Sequence, residues 1–148
     1  MFRRPALTII EMILVIALLA ILLVPSVMGI GAYRQKQALN ASAEILTTVL
    51  SRAHIYSREA KEQKQWGVRF KDNRSYEMIS GAPGAAVPYF EFELTSPSQF
   101  TQGPFEIWFL VDTGEVDHPE TITLGVPRGD ALQVIVNKAG SAEIKNEK

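Results

Sequence analysis

Asp112, Gly114, Glu115 and Asp117 bunch oxygen ligands around a glycine, the residue types from which a calcium loop is built. The EF-hand spacing and its closing glutamate are absent, and a hairpin turn after a strand accounts for the same residues. Two histidines stand in the whole chain, His54 and His118. His118 precedes Pro119 with no second histidine nearby, and His54 borders the apolar stripe of a helix, so each reads as a structural or surface residue. With no cysteine in the chain, thiolate metal sites, cysteine nucleophiles and disulfides are all excluded. Neither a nucleophile elbow nor a glycine-rich phosphate loop is found. The expectation is therefore a protein that is not an enzyme, with no catalytic residues, no cofactor and no metal.

Two binding chemistries remain open. Trp66, Trp108 and Tyr89 could stack on bases or sugars, although aromatic residues in strands usually pack in cores or across strands. Arg52, Arg69, Lys71 and Arg74 would hold DNA if the fold gathered them on one face. A net charge of -1 with 21% charged residues gives no general bias toward nucleic acid.

Glu11 is the residue in the strangest setting. Over residues 7–28 the only polar side chains are Thr8, Glu11 and Ser26, and the short basic leader Met1-Phe2-Arg3-Arg4-Pro5-Ala6 precedes them. At about 1.5 Å rise per residue, roughly 20 helical residues cross a hydrocarbon core of about 30 Å, so this run is long enough to span a bilayer. Arg3 and Arg4 orient its amino end toward the cytoplasm, which leaves the rest of the chain outside. A secretory signal peptide is the competing reading. Against it, the basic segment abuts the apolar run directly and no small-x-small site ends the run before Tyr33. A carboxylate in hydrocarbon costs about 2.5 to 3.5 kcal/mol on insertion scales. Leu14 and Val15 occupy the i+3 and i+4 positions, so no cation of the same helix faces Glu11, and its partner is expected on another chain.

Ala6-Leu7-Thr8-Ile9-Ile10-Glu11, followed by an unbroken apolar run, resembles the prepilin leader-peptidase motif of type IV pilins and pseudopilins. The resemblance implies cleavage between Ala6 and Leu7, methylation of the new terminus at Leu7, and pairing of Glu11 with the terminal amine of a neighbouring subunit during assembly. The chain departs from the usual pattern twice. Ala6 stands where glycine is usual, and Pro25 comes a few residues before the usual helix proline.

The elements beyond this run follow from periodicity. Ala38, Leu39, Ile45, Leu46, Val49, Leu50, Ala53 and Tyr56 recur at helical spacing, opposite a polar face of Asn40, Glu44, Thr48, Arg52 and Glu59. Gly29 and Gly31 are expected to permit a bend or partial unwinding between the two helical halves. The charged run over residues 59–65 reads as a solvated helix end. After Gln65 the period changes to two: Trp66, Val68 and Phe70 alternate, Asp72-Asn73 turns the chain, and Tyr76 and Met78 follow. Phe90, Phe92 and Leu94; Phe105, Ile107, Phe109 and Val111; Ile122, Leu124 and Val126; residues 132–136; and residues 142–144 continue the pattern. Residues 81–88 form a loop.

The predicted fold is α+β, a long N-terminal helix, transmembrane and then amphipathic, packed on an antiparallel β-sheet or β-sandwich of six to eight short strands. Its segments are a leader at 1–6, an assembly helix at 7–30, an amphipathic continuation at 31–65 and a β-rich domain at 66–148. Leu50-Ser51-Arg52-Ala53, the strand at 105–111 leading to Gly114, Ile122-Thr123-Leu124, and Val134-Ile135-Val136 with Gly140 resemble the H-type minor pseudopilins of type II secretion. Together the two resemblances imply a structural minor subunit of a secretion pseudopilus or type IV pilus. Its partners would be other pilin or pseudopilin subunits, prepilin peptidase, the inner-membrane assembly platform and inner-membrane lipid. The chain would cross the inner membrane once and enter a periplasmic or surface filament. The alternative is a DNA-capturing minor pilin of the competence type.

Overall fold

The computed structural model of the chain describes residues 8–127 and 129–146, with the side chains of residues 22–29 and 146 outside that description. The chain divides into two units, Met1–Arg34 and Gln35–Lys148. Helix α1, Ile9–Arg58, contributes to both. Gly29 and Gly31 do not end it, and the backbone is helical through Pro25 as well. At this position the proline costs the helix an N–H donor without breaking it.

In the second unit α1 buries one stripe: Leu39, Ala43, Leu46, Val49, Leu50 and Ala53. The predicted polar face, from Asn40 to Glu59, is exposed throughout. Ile45 departs from its expected place on the stripe and is 45% exposed, while Ser42 and Ala43 are buried instead. The stripe is turned around the helix from its expected place, away from Ile45 and toward the small residues Ser42 and Ala43. The helix stops at Arg58, earlier than the predicted end near residue 65, because Ala60 takes a left-handed conformation at φ 48°. Glu62 and Gln63, within the 3-10 turn Lys61–Gln63, are also at positive φ.

Among the described residues eight strands follow: β1 Gln65–Phe70, β2 Ser75–Gly81, β3 Val87–Glu93, β4 Gln99–Phe100, β5 Phe105–Phe109, β6 Glu120–Gly125, β7 Ala131–Val136 and β8 Ala142–Asn146. They form two antiparallel sheets, in the orders β3-β2-β1-β5 and β4-β6-β7-β8. The hairpin predicted about Asp72-Asn73 is present, and the Asp72 carboxylate accepts N–H bonds from Arg74 and Ser75, each at 2.7 Å. Those two bonds hold the Asp72 carboxyl below its ordinary range. The strand expected to run to Val111 ends at Phe109, where the chain turns through Asp112 at φ 69°.

Inner faces of both sheets and the helix stripe share one apolar core. Phe100 joins the sheets: its ring meets Phe70 edge-on at 5.0 Å, and Phe70 in turn stacks on Phe105 at 4.3 Å. Two buried serines satisfy the backbone where helix and strands meet. The Ser57 hydroxyl accepts the Trp66 N–H at 2.8 Å and donates to the Phe109 carbonyl at 2.9 Å, tying the end of α1 to β1 and β5. The Ser42 hydroxyl accepts the Thr95 N–H at 3.0 Å.

Candidate functional site

Glu11 lies in the first turn of α1 with an exposed side chain. Thr8 immediately precedes the helix, and the Glu11 N–H donates to the Thr8 carbonyl at 3.1 Å and to the Thr8 hydroxyl at a long 3.4 Å. Threonine before the helix and glutamate three residues on is the capping-box arrangement, in which a carboxylate also complements the positive end of the helix dipole. The T-x-x-E spelling Thr8-Ile9-Ile10-Glu11 is the sequence signal of that arrangement. Ala6 and Leu7, the expected cleavage and methylation positions, lie outside the described residues.

Around Glu11 the helix surface is apolar on every side. Ile9 is 82% exposed, Ile21 is 70% exposed, and Met12, Ile13, Leu14, Val15, Ile16, Leu18 and Leu19 are exposed between them. Glu11 is the one polar side chain in residues 9–21. Among the described residues no helix is long and apolar enough to cross a membrane. The apolar run read from the sequence continues into residues 22–29, whose side chains lie outside the description.

On the sheets, the predicted basic group takes a different form. Arg69 on β1 reaches Glu106 on β5 at 2.6 Å and Glu77 on β2 at 3.0 Å; Lys71 reaches Glu91 on β3 at 2.7 Å; Arg74 reaches Glu93 at 3.1 Å. Register explains the arrangement, because Arg69 pairs with both Glu77 and Glu106, and Glu77 pairs with Glu91. Pairing with Glu106 raises the Arg69 guanidinium further above its already high range. Three cations are thus balanced by four carboxylates, and Arg52 lies apart on the exposed face of α1. A row of alternating charge, not a basic face, crosses the sheet.

The aromatic candidates are also placed by packing. Trp66 is fully buried. The Trp108 ring covers Gly67 and donates its indole N–H to Glu106 at 2.7 Å. Tyr89, partly exposed on the edge strand β3, meets Trp66 edge-on at 5.0 Å. Lys61, read from the sequence as part of a solvated run, sits with its ammonium 3.7 Å from the Tyr56 ring centre and within 6 Å of Trp66 and Tyr89. No residue spacing announces that contact, which depends on the left-handed residues that turn Lys61 back over the sheet.

The acidic loop at 110–117 is a tight turn. The Gly114 N–H donates to Leu110 O at 2.9 Å, the Leu110 N–H to Glu115 O at 2.8 Å, and the Asp112 N–H to Ser57 O at 3.0 Å. Among the described residues no group of three His, Asp or Glu side chains is placed to hold a metal ion. His118 is exposed and lines a small cleft of about 90 Å³ with Glu106, Trp108, Asp117 and Glu120. His54 packs instead against Gly114 and Gly140. No protein-family model, curated protein or solved structure matches the chain.

Proposed function

We propose that the chain is a structural subunit of the type IV pilin class, most akin to a minor pseudopilin. In this reading prepilin peptidase cuts between Ala6 and Leu7, Leu7 is methylated, and the helix from Leu7 onward crosses the inner membrane and then packs into a filament. The β-bearing unit lies outside the cytoplasm and meets other subunits.

The observation that carries this reading is the apolar circumference of α1 over residues 9–21. A helix apolar on every side is a stable arrangement only when something covers all of it. Each buried Leu or Ile contributes roughly 1.5 to 3 kcal/mol, which gives lipid or neighbouring helices ample reason to cover this one. The single carboxylate in that surface is the group that an amine at a neighbour's amino terminus would neutralise.

Glu11 stands at the capping-box position as well as in the proposed pairing role, and one substitution separates the two. Glu11→Gln keeps a residue competent in a capping box but removes the charge. The variant should be processed and folded yet fail to enter filaments. Normal incorporation of Glu11→Gln would reduce Glu11 to a helix cap and end the pairing argument. The processing step has its own test, intact mass and amino-terminal sequence after co-expression with prepilin peptidase. A chain starting at methylated Leu7 is expected; an intact Met1 start would overturn the class assignment.

A further inference from the structure

We propose that His54 is a proton-operated latch, which when neutral holds the turns at 110–115 and 137–140 together against the end of α1 and when protonated lets both loosen. The proposal is independent of filament assembly, since every residue in it belongs to the second unit.

The geometry is that of a ring wedged beside two glycines. Gly114 and Gly140 sit at φ 72° and 83°, in the region that favours glycine. A Cβ on Gly114 would fall on the His54 ring, and one on Gly140 would fall on the Gly114 carbonyl and 3.0 Å from His54 Cδ2. The two turns therefore touch each other and the same imidazole. The Phe109 ring lies on another side of His54, with ring centres 5.9 Å apart. Backbone bonds complete the assembly: Asp112 N–H to Ser57 O at 3.0 Å, Val116 N–H to Lys138 O at 3.1 Å, and Gly140 N–H to Asn137 O at 2.9 Å. The second of these links one turn to the other.

A proton on His54 would put a charge on a half-buried ring that no carboxylate among the described residues bonds. The charged residues beside these contacts are Arg58 on α1, Asp112 and Glu115 on the first turn, and Lys138 on the second; β5 meets the ring with apolar Phe109, its Glu106 being bound to Arg69 and Trp108. Among the described residues none of those carboxylates pairs with His54. Desolvation, aided by the like charge of Arg58, favours the neutral ring. Protonation is relieved by moving the ring toward water, and the contacts at Gly114 and Gly140 are lost together.

Amide hydrogen exchange on the full chain in detergent tests this, with rates corrected for the intrinsic effect of pH. Between neutral pH and pH 5, protection at Asp112, Gly114, Val116 and Gly140 should fall severalfold, while protection in β1 and β7 holds. His54→Phe keeps an aromatic ring and all neighbouring carboxylates, and it should abolish the pH-dependent loss at those amides. The same loss in His54→Phe would overturn the proposal. Should that variant fail to fold, a titration of the unaltered protein by NMR decides: the Gly114 and Gly140 amides must move with the midpoint of the His54 ring protons, and a separate midpoint would refute the latch.

Discussion

One helix, α1, is built in two ways. Over residues 9–21 it is apolar on every side and exposed, and over residues 38–53 it is apolar on one stripe, which is buried. The stretch that packs on sheets of its own chain has a polar opposite face; the other stretch has no such face, and the proposed filament or membrane setting would supply its cover. The difference teaches that the width of the apolar surface separates a stretch packed within its own chain from one left exposed there.

The comparison breaks most readily at Leu50. Leu50→Ala should cost the second unit about 2 to 5 kcal/mol in urea unfolding followed by Trp fluorescence, whereas Leu14→Ala, in the exposed stretch, should leave that transition unmoved. Equal losses from the two would dissolve the distinction. Gly114→Ala should cost about 2 to 4 kcal/mol by the same measurement, since both a positive φ and the His54 ring oppose a methyl group. Ser57→Ala leaves a buried Trp66 N–H and a Phe109 carbonyl short of a partner, and a loss of about 1 to 3 kcal/mol in thermal or urea unfolding is expected.

The smallest effect is the pH dependence due to His54. Its folded pKa is lowered from 6.5, so the unfolded chain binds the proton more readily. The contribution to stability is full above about pH 6.5 and is lost as the pH falls through the folded value. Comparing urea midpoints of the unaltered protein and His54→Phe across that window should show the former falling faster as acid is added; parallel curves would remove His54 from the account.

Much of the fold was legible because its signals are local. The three-and-four spacing of Leu39, Leu46, Val49, Leu50 and Ala53 found the buried stripe, and alternation at Trp66, Val68 and Phe70 with Asp72-Asn73 found the first hairpin. Two-residue β4 escaped, being too short to alternate. The alternation of Phe90, Phe92 and Leu94 marks a strand, but not its burial: Phe90, on the edge strand β3, is 51% exposed. Of the candidate residues, Glu11 was legible by its setting and Gly114 and Gly140 as turn glycines. Their meeting at His54 was not, since sequence spacing says nothing about two turns separated by a hairpin.

By itself the sequence determined the long helix with its two kinds of surface, the lone carboxylate and the order of most strands, since each depends on neighbours three or four positions away or on alternation. Only the tertiary structure decided the rest: β5 joins β1 in one sheet while β4 joins β6 in the other, Arg69 spends its charge on Glu77 and Glu106, and His54 closes on two glycines. Those outcomes belong to long-range pairing, in which many partners satisfy the local pattern equally and the shared core selects among them.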